Sequence, residues 1–85
     1  MQITDVRVKR FEESDRTVKG IAAITIDECF VVHDVKIIKG KEGLFIAMPS
    51  RKLPNGEFKD IAHPINQATR NMIQDAVLNQ YEIAE

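Results

Sequence analysis

Asn66-Gln-Ala-Thr-Arg-Asn-Met-Ile-Gln-Asp-Ala-Val77 decides the fold, because the hydrophobic period changes within it. Thr69, Met72, Ile73, Ala76, Val77 and, further on, Ala84 recur every three to four residues, the spacing of an amphipathic helix. Pro64 ends the segment before it. Asn66 carries a side chain able to bond a free amide of a first helical turn. The spacing therefore predicts a helix over about residues 67–83. Gln67, Arg70, Asn71, Gln74 and Asn79 fall outside the apolar stripe. Leu78 falls near the middle of the polar face with Tyr81 on its flank, a pairing expected to mark a subunit contact.

Upstream, over about residues 2–62, the period is two. Val6 and Val8 alternate with Arg7 and Lys9, a half-exposed strand within residues 2–11. A polar, turn-like stretch, Glu12-Glu-Ser-Asp-Arg16, joins it to a second strand over Val18 to Asp27, and the two read as a hairpin. That second strand has Ala22, Ile24 and Ile26 on one face and Ile21, Ala23 and Thr25 on the other, which predicts burial on both sides. Phe30 to Lys39 reads as a third strand. Strict alternation puts Val31, His33, Val35 and Ile37 on one face and Val32, Asp34, Lys36 and Ile38 on the other.

Leu44 to Met48 is a short apolar fourth strand ended by Pro49. Pro54-Asn55-Gly56 is the strongest turn signal, and Glu57 to Ala62 can pair back as a weaker fifth strand. Strands followed by one helix make an α+β domain: a small antiparallel sheet of four to five strands, then one C-terminal amphipathic helix. One helix cannot cover both faces of such a sheet. The expected remedy is a homodimer that either continues the sheet or packs helix to sheet.

With 85 residues the chain is one domain, spanning residues 1–85, and its core is small. Twelve Lys and Arg against 13 Asp and Glu leave a formal charge of −1, which excludes a histone-like polycation and an acidic tail protein. The longest apolar run is Leu44 to Met48, far short of the ~18 residues of a membrane span. Asp5, Arg7, Lys9 and Arg10 stand where a signal peptide needs an apolar run. The single cysteine, Cys29, forms no internal disulfide, so a reducing, cytoplasmic setting is expected, with no membrane partner.

Catalytic chemistry finds no foothold. Cys29, His33, Asp34 and His63 are the possible metal ligands, but none of their spacings is a tight zinc pattern. His33 reads as a core-facing histidine, and His63, held extended before Pro64, as a loop anchor. Ser14 and Ser50 lie in no nucleophile motif, and no phosphate-cradling glycine loop occurs. Neither an enzyme, nor a cofactor, nor a small-molecule substrate is expected.

Charge is more informative. Between Lys36 and Lys59 six cations (Lys36, Lys39, Lys41, Arg51, Lys52, Lys59) face two acids (Glu42, Glu57), a local net +4 in a neutral chain. Lys39, Lys41, Arg51 and Lys52 are expected in loops, where long side chains reach a partner. Arg70 sits in the first helical turn beside Asn66, Gln67 and Thr69. A helix start offers free amides and a positive dipole end to phosphate, and Asn, Gln and Arg also bond base edges.

The segments Phe30-Val-Val-His-Asp-Val-Lys-Ile-Ile38 and Gly43-Leu-Phe-Ile-Ala-Met-Pro-Ser-Arg-Lys52 resemble the stage V sporulation protein G (SpoVG) family. So do Pro54-Asn-Gly-Glu-Phe-Lys-Asp-Ile-Ala-His-Pro-Ile-Asn66, the opening Ile3-Thr-Asp-Val-Arg-Val-Lys-Arg10 and the helix through Ile73-Gln-Asp-Ala-Val77, so the resemblance spans essentially the whole chain. It implies a small, homodimeric, cytoplasmic bacterial regulator that binds DNA and in some members RNA, with roles in sporulation, septation and gene expression. The family's specificity region falls on Gln67, Ala68, Thr69 and Arg70, and its basic loop on Arg51 and Lys52. Many members continue past the helix with a charged tail, whereas this sequence stops at Glu85. The expected nucleic-acid contacts are Arg51, Lys52, Lys59 and Arg70, joined by Lys39 and Lys41, with Asn66, Gln67 and Thr69 adding phosphate or base-edge bonds. The alternative is a protein-interaction module working through an exposed helix face or sheet edge.

Overall fold

The computed structural model describes residues 1–11 and 17–83. Four antiparallel strands form the main sheet in sequence order: β1 (Ile3–Arg10), β2 (Val18–Ile26), β3 (Phe30–Gly40) and β4 (Gly43–Ala47). Two short strands, β5 (Ser50–Lys52) and β6 (Phe58–Asp60), pair only with each other. Helix α1 (Gln67–Ile83) closes the chain, so the α+β arrangement holds and the helix spans the residues its period predicts. The polar stretch 12–16 and Ala84 of the apolar stripe lie outside the described residues.

Alternation explains the sheet and one helix explains the core. Ala22 and Ile24 of β2, Val35 and Ile37 of β3, Ile46 of β4, and Met48 just beyond it meet Ile73 and Val77 of α1. Five of these, Ile24, Val35, Ile37, Ile46 and Val77, are wholly buried. Among the described residues, no second layer covers the opposite face. There Ile21, Ala23 and Thr25 are only half-buried, which corrects the expectation that β2 is enclosed on both sides.

A bulge in β3 corrects the largest misreading. Ala22 pairs Val35 but Ile24 pairs Val32, so two residues, His33 and Asp34, stand opposite Ala23. Asp34 takes a left-handed conformation, φ 62°, to absorb the extra residue. The phase of β3 reverses there: Val32 packs with Val35 and Ile37, while Val31 and His33 turn outward and are exposed. His33 is therefore not a core histidine.

The turn from β2 to β3 also uses left-handed residues, Asp27 at φ 51° and Glu28 at φ 59°, matching the right-handed twist of the strands it joins. Its amides are held from β1's side. Asp27 donates to the Gln2 carbonyl at 2.8 Å, and Glu28 donates to Thr4 Oγ1 at 2.9 Å. Gln2 in turn donates to Asp27 Oδ1 at 2.8 Å.

The helix sits rotated from its apolar stripe. Met72 is exposed, whereas Leu78 and Tyr81, assigned to the polar side and its flank, are half-buried against this chain's own core. Arg70 and Gln74 account for the rotation. Arg70 Nη2 donates to the Ile46 carbonyl at 3.4 Å, and the Ile46 amide donates to Gln74 Oε1 at 3.5 Å. One turn apart on α1, the two side chains engage the backbone N–H and C=O of Ile46 in edge strand β4. Their stems thus join the packed face although their heads are polar. At the other end the guanidinium of Arg10 lies over the Tyr81 ring, 4.4 Å from its centroid.

Candidate nucleic-acid interface

Arg51 and Lys52 sit in a strand, not in a loop, and Lys59 lies in the strand that pairs with it. The expected weak strand after Pro54-Asn55-Gly56 does pair back, but with Ser50–Lys52, making a hairpin on which no other element packs appreciably. Its turn is a Pro-Asn-Gly loop: Gly56 donates to the Leu53 carbonyl at 3.0 Å, and Leu53 to the Glu57 carbonyl at 2.6 Å. Of Asn55 and Gly56, only Gly56 takes positive φ, at 90°. Asn55 serves through its side chain, whose Oδ1 accepts the Glu57 amide at 3.0 Å.

Register then fixes which cations meet. Arg51 is directly opposite Lys59, with Ser50 opposite Asp60 and Lys52 opposite Phe58. Like charges directly opposed on a strand pair repel. All six strand residues are exposed, and among the described residues no ion pair engages Arg51, Lys52 or Lys59. The hairpin base is closed by the Ile61 amide donating to the Pro49 carbonyl at 2.7 Å.

From that base the chain runs directly into the helix start. Asn66 Oδ1 accepts the Thr69 amide at 2.8 Å, the N-cap bond its position predicts. Gln67 Nε2 donates to Asn71 Oδ1 at 2.8 Å, and both side chains are exposed. Arg70 is half-buried, with one nitrogen turned to β4. Met48 before the hairpin, Ala62 after it, and Thr69 and Ile73 of the helix share the wall of one apolar groove of about 300 Å³. Hairpin base and helix N-terminus are therefore neighbours.

The other expected cations are elsewhere. Lys39 belongs to β3, not to a loop, and Lys41 lies in the β3–β4 turn. The five residues of β4 separate that turn from the hairpin, roughly 16 Å at the ordinary strand rise. The +4 segment thus splits into a hairpin group adjoining the helix start and a remote pair. His63 stays local, its Nδ1 3.1 Å from the Pro64 carbonyl oxygen. Sequence reasoning passed over Gln74, whose polar head hid its packing, and Phe58. The ring of Phe58 is 71% exposed opposite Lys52, and alternation through Glu57–Ala62 was its only signal.

A small α+β domain of one curved sheet, one covering helix and a projecting cationic hairpin is thereby defined. The SpoVG family profile matches residues 1–83, and the chain belongs to that family. It is 63% identical over 82 residues to a "Putative septation protein SpoVG" of Caldicellulosiruptor bescii, covering 96% of this chain and 92% of that protein. A protein of the same name from Clostridium acetobutylicum is 62% identical, over 96% of this chain and 85% of its own length. "Putative septation protein SpoVG 1" of Listeria monocytogenes is 59% identical across all 85 residues, 82% of its length. The family and its septation names thus bear out the resemblance read from the sequence.

Proposed function

We propose that this SpoVG-family chain is a cytoplasmic, non-enzymatic regulator that binds nucleic acid as a homodimer and acts in septation, sporulation or gene expression. The observation that carries the reading is the hairpin: Arg51 and Lys59 face each other in register, exposed and, among the described residues, without an acidic partner in an ion pair. Opposed cations cost stability in the free protein and lose that cost against a polyanion. The adjoining helix start adds Gln67, Thr69 and the free N–H groups of Arg70. Phosphate contacts position the protein, and the polar side chains of the first turn supply base-edge bonds.

The dimer is supported by the uncovered sheet face. Ile21 and Ala23 of β2, Val31 and Ile38 of β3, and Phe45 of β4 share that face by register. These apolar side chains share the face with Arg7, Lys9 and Lys36, and a second copy would cover them. Leu78 and Tyr81, the expected subunit contact, are half-buried against their own core and keep only part of their surface for a second copy. The same open face keeps a second reading alive, a protein-interaction module without nucleic acid.

Salt discriminates them. Fluorescence anisotropy against labelled duplex DNA and single-stranded RNA should show log K falling with log salt at a slope near −4 to −5, about two to three phosphates per protomer. Replacing Arg51 and Lys52 by Ala removes two cations from each protomer, so it should flatten that slope by roughly three to four and weaken all sequences alike. An unchanged slope would remove the hairpin from the interface. Association that survives high salt would favour the protein-interaction module.

A further inference from the structure

We infer that Phe58 is a stacking platform for an unpaired base, so that the ligand of the hairpin is single-stranded nucleic acid. The inference deepens the nucleic-acid reading and rests on it. Register puts Phe58 and Lys52 opposite each other, on the face shared with Ser50 and Asp60, while Arg51 and Lys59 occupy the other face. Side chains opposed in this way lie about 5 Å apart at their Cβ atoms. A large ring left 71% in water gains nothing for the fold, since no second layer covers a two-stranded sheet.

What a ring beside cations offers is a surface for the flat face of a base, with the ammonium of Lys52 beside it for that nucleotide's phosphate. Arg51 and Lys59 are long enough to take neighbouring phosphates around the ribbon's edge. Within a duplex, bases cover one another's faces and a ring enters only by breaking that stacking, whereas a single strand offers base faces without the cost. Asp60 opposite Ser50 bounds the site: an acid there turns a backbone away from that end of the strand pair. The loop that carries the ring is held by the bonds of Leu53, Asn55 and Gly56, so the platform is in place before any ligand arrives.

The test compares the full chain with Phe58→Leu and Phe58→Trp on short oligothymidylate, oligouridylate and duplex DNA of the same length. Phe58→Leu should weaken both single strands about tenfold, leave the duplex within about twofold, and leave the salt slope unchanged, because no phosphate contact is lost. Phe58→Trp should restore the affinity. 2-Aminopurine in the single strand should be quenched by the wild-type chain and not by Phe58→Leu. The two single strands separate RNA from DNA as the preferred source. Equal losses on single strand and duplex, or no loss on either, would overturn the inference. So would a Phe58→Leu chain that sediments as a monomer where the wild type is a dimer, since the ring would then be a subunit contact. Wild-type protein that binds none of the probes would instead sink the nucleic-acid reading and this inference with it. Steep, salt-dependent wild-type binding indifferent to Phe58→Leu would sink the stacking alone.

Discussion

The helix-covered sheet and the β5–β6 hairpin obey opposite rules. In the sheet, β2, β3, β4 and α1 each surrender apolar side chains to one core. In the hairpin, every strand residue is exposed, two cations face each other, and the turn alone sets the geometry. A two-stranded hairpin is marginal by itself, so this one borrows its permanence from its base, where Ile61 bonds Pro49 next to the core residue Met48. Stability is concentrated in the first region, and the second presents its side chains to solvent on a backbone fixed by its turn and base.

Substitutions can break or sharpen that division. The largest effect is expected in the core: Ile46→Ala, at a wholly buried position, should cost about 3 kcal/mol in chemical denaturation. A loss under 1 kcal/mol would mean that the sheet–helix layer is not where stability resides. Asn66→Ala lies on the border, because it removes the cap of α1 yet sits beside the hairpin base. It should cost about 1 kcal/mol, read from the same denaturation curves. Smallest of all, Lys59→Ala should change stability by less than about 0.5 kcal/mol, or raise it slightly by relieving Arg51, while weakening nucleic-acid binding. A Lys59→Ala chain clearly less stable than wild type would show the hairpin to be structural.

The period change at Asn66 was fully legible, since helix spacing, an N-cap and a preceding proline all agreed, and the helix fills residues 67–83. The strands were legible for the same reason, through alternation. What sequence could not show was phase. One extra residue at His33 and Asp34 inverts the faces of β3's first half, and no composition signal marks it. Burial of Arg70 and Gln74 was likewise invisible, because a polarity count places both on the wet side of the helix. The candidate site was half legible: Arg51, Lys52 and Lys59 were found as charges, but their mutual register depends on a pairing between short strands that charge alone cannot assign.

Arg70 and Gln74 occupy both backbone hydrogen-bonding groups of Ile46, the N–H and the C=O. β4 is the last strand of its sheet, and its unpaired side is a template for any other extended chain. By engaging the N–H and C=O of Ile46 from the helix, the two side chains interrupt the row of free donors and acceptors that such templating requires. The first turns of α1 thus act as a gatekeeper against runaway strand addition. Fraying of the helix from its N-terminus would open that gate, so variants that weaken the first turns of α1 are expected to aggregate faster at high concentration.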